Sequence, residues 1–232
     1  MIKDPPVLTV NRNICRPDAQ LLKRFVGVPT GYVVDAMGGR GALDFEIRSL
    51  VDDGGPMNTF VGPALTCHCG PADNLALLAA AITAERGDVL VCGTDRFQET
   101  CVTGDLLLGA AKKQGISGFV TDGLVRDVEG ILELGLPVFC RGKTPNSPVR
   151  NGPGSVGLPI VLGGVAVESG DVVVADAEGV VVVPQQLLSD VLEELERVKT
   201  DEAAGPAAMN RGEGVVAEIQ KLLDSDRVRY VD

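Results

Sequence analysis

The chain has 232 residues, 45% hydrophobic but only 3% aromatic, with no Trp and 29 Gly, so its core must be aliphatic and its turns many. The length suits one domain with a substantial core, and the composition suits an α/β protein. A formal charge of −11 repels nucleic acid and anionic membranes at long range, so an anionic ligand would have to be held by local features.

Residues 1–16 read as an arm without a core of its own. Arg16-Pro17-Asp18 starts a helix through Phe25, and Thr30-Gly31 caps a second through Met37, stopped by Gly38-Gly39. Asp35 lies on that second helix, either solvated or facing a cleft. The GGRG at 38–41 lacks the Lys and Ser/Thr of a phosphate loop. Leu43–Leu50 and Asn58–Cys69 read as strands, the latter bending at Gly62-Pro63. In the Cys67-His68-Cys69 stretch, strand alternation sends the two thiols to one face and the imidazole to the other, and the spacing is too tight for a zinc knuckle. The same alternation argues against a Cys-His dyad, so reduced, part-buried thiols are expected. Asp73-Asn74 opens an alanine-rich helix to Arg86, and Asp88–Cys92 is a buried strand running into Gly93-Thr94-Asp95. The VLVCGTD here is superficially like a methyltransferase turn, but the further glycines are missing.

Leu106–Gln114 has a helical pattern closed by Gly115, with Thr103 or Gly104 at its cap. The first amides of a helix have no internal acceptor, so the backbone around Asp105, Leu106 and Leu107 is a candidate anion cradle. Asp105 could cap this helix or act in the outer shell of a metal. Farther on, Phe119 and Val120 give way to Thr121, Asp122 and Gly123, and the spacing of Val128, Ile131, Leu132 and Leu134 follows, which reads as strand, loop, helix. Arg126 and Asp127 fall in that loop or the first helical turn, at the carboxyl end of the strand. Arg can fork a carboxylate or keto oxygen while Asp holds a hard divalent cation. The same pair at a helix start also suits a surface salt bridge.

Leu136–Cys140 is another strand, and the Pro- and Gly-rich stretch from Lys143 to Pro159 is a long loop lying against a neighbour or over the cleft. Ile160–Val167, Asp171–Ala175 and Gly179–Val183 are short β-branched strands. Gln185–Glu202 is helical with one apolar stripe, Gly205-Pro206 breaks it, and a second amphipathic segment spans Val215–Leu223. The expected fold is α/β, a layered β/β/α sandwich or barrel-like core over residues 1–184, rather than a doubly wound sheet with strict βαβ units. A C-terminal helical extension over 185–232 is expected to pack on a neighbouring subunit. No charged leader precedes an apolar stretch and no apolar run approaches about 18 residues, so a soluble cytoplasmic protein that binds neither membrane nor nucleic acid is expected.

The stretch GDLLLGAAKKQGISGFVTDGLVRD at 104–127 resembles the core signature of the family containing the ribonuclease activity regulator A proteins and the metal-dependent 4-hydroxy-4-methyl-2-oxoglutarate / 4-carboxy-4-hydroxy-2-oxoadipate aldolases. VVDAMGG at 33–39, GPALTC at 62–67, PADN at 71–74, GDVLV at 87–91, LPVFCRG at 136–142 and DAEGVVVVP at 176–184 agree with it, so the resemblance covers roughly residues 25 to 200. It implies that Arg126 binds the pyruvyl unit, that Asp127 holds Mg2+ or Mn2+, mostly through water, and that Asp105 stands in the outer shell. It also implies that the amides of Leu106 and Leu107, beside Gly104, take the substrate carboxylate. In the aldolase branch a glutamate from a neighbouring subunit completes the site; Glu202 is the first candidate and Glu196 the second. A homotrimer or homohexamer is implied.

The implied activity is a pyruvate aldolase, a carbon-carbon lyase that cleaves a small 4-hydroxy-2-oxo acid to pyruvate and a keto acid, with oxaloacetate decarboxylation as a side reaction. Lys3, Lys23, Lys112, Lys113, Lys143, Lys199 and Lys221 sit in polar or helix-surface contexts, which disfavours a Schiff-base route and favours the metal. The alternative is a non-catalytic regulator of an RNA-degrading enzyme.

Overall fold

The computed structural model describes residues 4, 6–51 and 58–231. In chain order the elements are β1 (Leu8–Val10), α1 (Ala19–Lys23), α2 (Thr30–Ala36), β2 (Arg48–Ser49), β3 (Phe60–Cys69), α3 (Leu75–Thr83), β4 (Val89–Gly93) and β5 (Cys101–Thr103). They continue with α4 (Asp105–Gln114), β6 (Gly118–Thr121), β7 (Leu124–Val125), α5 (Val128–Leu134), β8 (Val138–Cys140), β9 (Gly142–Lys143) and β10 (Gly154–Val156). Two hairpins follow, β11 (Ile160–Leu162) with β12 (Val165–Val167) and β13 (Val172–Asp176) with β14 (Gly179–Val183), and then α6 (Leu188–Asn210) and α7 (Val215–Leu223).

Four parallel strands, β3, β4, β6 and β8 in that order, form the centre of the main sheet. Their residues alternate between two cores as the pleat requires. Leu65, Leu90, Phe119 and Val138 face one side, where Leu77 of α3, Leu108 of α4 and Ile131 of α5 cover them. Ala64, Val89, Val120 and Phe139 face the other, under the two hairpins. The parallel strands are connected through α3, α4 and α5, two of these crossovers carrying an extra short strand, and the helices share one apolar cluster on one side, so the sheet is not doubly wound. A third apolar cluster joins α2 and the start of α6 to β13 and β14 through Val33, Val181, Leu192 and Leu195.

Three short strands follow main-sheet strands directly: β5 after β4, β7 after β6 and β9 after β8. They pair in parallel with one another as a separate sheet in the order β5, β7, β9. This second layer gives the β/β/α character, and α4 and α5 begin at its carboxyl edge.

Several segments differ from expectation. Only Arg48–Ser49 of the expected strand 43–50 pairs with β8, because Asp44 takes the Glu46 and Ile47 amides into a turn. The stretch 143–159 is not loop throughout, since β10 pairs with both β1 and β3; the arm thereby contributes β1 to the sheet edge. The part of that arm at residues 1–3 and 5 lies outside the described residues. The α6 helix runs through Gly205-Pro206 to Asn210 instead of breaking there. Pro206 cannot donate to the carbonyl one turn back. The stretch is exposed, so solvent can serve that carbonyl. Among the described residues no helix is long and apolar enough to cross a membrane.

Candidate active site

The α4 helix is fixed by burial of Leu108 and Ala111 and by Gly115, whose left-handed φ of 94° closes its C-terminus. Gly104 is its N-cap, in extended conformation and with no side chain to offer. The first turn carries Asp105, whose Oδ1 accepts the Leu106 amide at 2.6 Å. The expected anion cradle therefore already holds a carboxylate of its own, which an incoming carboxylate would have to displace from Leu106.

Arg126 follows β7 directly and its amide donates to the Thr103 carbonyl at 3.0 Å, tying the two short strands together at the cleft. Its Nε donates to Asp127 Oδ2 at 3.1 Å, and Nη1 donates to Ser147 Oγ. Asp127 is the N-cap of α5, with φ 55° and ψ 46°, a left-handed conformation that Asp tolerates better than most residues. Its backbone carbonyl accepts from Ile131 at 3.0 Å, but its carboxylate does not cap the helix and turns to Arg126. Such an outlier is characteristic of functional sites.

Two glycines leave room for the two carboxylates. A Cβ on Gly104 would collide with the Asp127 carboxylate, and one on Gly130 of α5 would stand 2.5 Å from Asp105 Oδ2. Asp105, Arg126 and Asp127 together line a cleft of about 390 Å³ between α3, the start of α4 and the 144–150 loop. Leu78, Ile82, Leu106 and Pro148 supply apolar wall, and Arg150 also lines the cleft.

Of the residues singled out from sequence, Gly104, Asp105, Leu106, Leu107, Arg126 and Asp127 are brought together here. Glu202 and Glu196 are not; both are exposed on α6, where Glu196 pairs with Lys199 and Arg24. Asp35 is exposed on α2 and does not line the cleft. Cys67 and Cys69 are buried on one strand face with Cys92, while His68 points the other way and meets Asp95 at 3.0 Å. Asn74, Cys101, Ser147 and Arg150 line the cleft without having been singled out. Only Asn74 had a sequence cue, as the last residue of PADN; the others depend on how a loop folds back. Burial pushes the Cys101 thiol up, with Arg126 opposing and Asp127 adding to the shift.

The acidic donors of the cleft are two carboxylates, Asp127 and Asp105, and the Cys101 thiol beside them is held protonated by burial. Among the described residues no group of three or more His, Cys, Asp or Glu side chains could cage a metal. Such a donor set fits a hard divalent cation that keeps most of its waters and takes one or two protein oxygens.

Residues 30–182 match the RraA-like family described as Aldolase/RraA. A Halalkalibacterium halodurans protein with the provisional name 4-hydroxy-4-methyl-2-oxoglutarate aldolase is 35% identical over 193 residues, covering 83% of this chain and 90% of its own. The solved structure of Streptomyces coelicolor RraAS2, described as an unusual member of the RNase ES inhibitor RraA family, superposes with a TM-score of 0.71 at 29% identity. It covers 84% of this chain and 98% of that one. The Thermus RNA-processing inhibitor RraA matches at a TM-score of 0.61 and 25% identity, over 68% of this chain and 93% of its own. With that fold, and with a family match spanning most of its length, the chain belongs to the RraA-like, Aldolase/RraA family.

Proposed function

We propose that the chain is a divalent-metal-dependent pyruvate aldolase acting on small 4-hydroxy-2-oxo acids such as 4-hydroxy-4-methyl-2-oxoglutarate or 4-carboxy-4-hydroxy-2-oxoadipate. The observation that carries this reading is the convergence of Arg126, Asp127 and Asp105 with the N-terminal turn of α4 in one cleft. In the cleavage, the C3–C4 bond breaks, the C4 hydroxyl loses its proton as C4 becomes a carbonyl, and the electron pair enters a pyruvate enolate. The enolate oxygen needs positive charge nearby. Arg126 supplies a guanidinium already aimed by Ser147 and Asp127, so little reorganisation is needed when charge develops. The α4 amides hold the substrate's C1 carboxylate, and Asp105, freed from Leu106 by that carboxylate, is the proposed acceptor of the C4 hydroxyl proton. A Mg2+ or Mn2+ held by Asp127, with Asp105 outside it, would polarise the 2-oxo group and contribute several kcal/mol of charge stabilisation. Oxaloacetate decarboxylation passes through the same enolate and is the proposed second activity.

The site is proposed to be completed in a homotrimer or homohexamer by Glu202 of a neighbouring copy. A second reading, a non-catalytic regulator of an RNA-degrading enzyme, is favoured by the RraA structures that share the fold. The deciding experiment measures pyruvate release from the two hydroxy acids and from oxaloacetate with added Mg2+ or Mn2+. Turnover that EDTA abolishes and that Arg126→Ala and Asp127→Ala each reduce by at least about 100-fold supports the enzyme. Well-folded, metal-supplied protein that turns over none of the three while binding a ribonuclease supports the regulator.

A further inference from the structure

Asn74 is the residue just before α3, it lines the same cleft as Arg126 and Asp127, and it is only 6% exposed. Its Nδ2 donates to the Val102 carbonyl of β5 at 3.1 Å, whereas its Oδ1 is buried with no hydrogen-bond partner among the described residues. The orientation of the amide follows from that pairing, since turning it over would set Oδ1 against the Val102 carbonyl oxygen. Nor does the side chain cap α3, because Asp73 Oδ1 takes the Leu75 amide at 2.8 Å. Asn74 thus fastens the start of α3 to β5, one residue before the Thr103 carbonyl that receives the Arg126 amide. Among the described residues the leftover acceptor has no donor. Buried acceptors are nearly always paired, and one left unpaired beside a cleft calls for a donor arriving with a ligand.

The chemistry of the proposed substrate narrows that donor to one group. This step rests on the aldolase reading. At neutral pH the carboxylates and the 2-oxo group of a 4-hydroxy-2-oxo acid only accept hydrogen bonds; the C4 hydroxyl is its only donor. We propose that Asn74 Oδ1 accepts the hydrogen bond of the substrate's C4 hydroxyl, orienting it for cleavage and selecting hydroxylated substrates. Oδ1 and Nδ2 move together because the amide is planar, so only a small rotation within asparagine's broad terminal torsion is needed for Oδ1 to meet a donor without releasing Val102. An amide oxygen is too weak a base to keep the hydroxyl proton, so Asn74 orients the group and the proton goes to a carboxylate of the cleft, for which Asp105 is the proposed base. A site built to pair a hydroxyl also discriminates against substrates that lack it. Oxaloacetate, whose C4 is a carboxylate carbon, is such a substrate.

The test compares wild type with Asn74→Ala on 4-hydroxy-4-methyl-2-oxoglutarate cleavage and on oxaloacetate decarboxylation, with Mg2+ present and folding checked by thermal melting. Cleavage is expected to lose about 10- to 100-fold more in kcat/KM than decarboxylation does. Asn74→Asp keeps an acceptor at the same length but loses the Nδ2 tie to Val102, so both activities are expected to fall while their ratio stays closer to wild type. Where the alanine variant does not fold, Asn74→Leu, close in volume, is read in the same way. Equal losses in both reactions would make Asn74 a purely structural tie and overturn the assignment alone, as would undiminished cleavage. A wild type that turns over neither substrate would overturn the aldolase reading and this assignment with it.

Discussion

At the scale of single residues, the site depends on what is missing as much as on what is present. Gly104 is an N-cap without a side chain, a position where Ser, Thr, Asp or Asn would ordinarily stabilise the helix more. Its backbone is extended and would accept any residue, so conformation does not explain it. Space does: the Asp127 carboxylate occupies the volume a Cβ would need. Gly104→Ala should therefore fold normally yet displace Asp127, lowering metal-dependent pyruvate release by at least about 10-fold and weakening Mn2+ binding measured by calorimetry. Unchanged Mn2+ affinity and turnover would show that the close approach has no functional weight.

At the scale of elements, a cluster of charges ties the Ala42–Leu50 segment to the end of β8. Asp44 pairs with Arg96 at 3.3 Å and Arg141 at 3.4 Å, and Glu46 pairs with both arginines. The Glu46 amide above all holds the Asp44 carboxyl below its usual range near 3.8; burial opposes it, and Arg96 and Arg141 lower it further. A depressed carboxyl stabilises the fold above the unfolded value and loses that contribution as pH falls through the folded one. The urea midpoint of wild type should exceed that of Asp44→Asn at pH 5, and the gap should close as pH drops below about 4; a gap independent of pH would contradict this. The same segment shows why some elements were legible and others were not. The α4 helix could be read from its apolar spacing and from Gly115, and β3, β4 and β6 from their buried runs, because those are local patterns. Residues 43–50 alternate well enough for a strand, but the Asp44 turn captures the amides. The two- and three-residue strands β5, β7 and β9 exist only through pairing with one another. Ser147 and Arg150 reach the cleft only because the 144–150 loop folds back to it, and an unpaired Oδ1 on Asn74 is a property of packing, not of sequence.

At the scale of the whole molecule, the C-terminal extension divides in two. Leu188, Val191, Leu192 and Leu195 pack on β13 and β14 of the same chain. Beyond them α7 exposes Val215, Val216, Ile219, Leu222 and Leu223, an apolar set that suits a second copy of the chain. Light scattering should accordingly give the mass of a trimer or hexamer, and a monomer at micromolar concentration would leave Glu202 without a neighbouring site to complete. The proposed stabilisation of a pyruvate enolate by Arg126 and a divalent cation at Asp127 can be read without knowing the natural substrate. Exchange of pyruvate methyl protons into deuterated water, followed by NMR, reports enolate formation directly. Exchange that requires Mg2+ or Mn2+, stops with EDTA and falls by at least about 100-fold in Arg126→Ala is the expected result. Folded, metal-loaded wild type that exchanges no faster than buffer would contradict it.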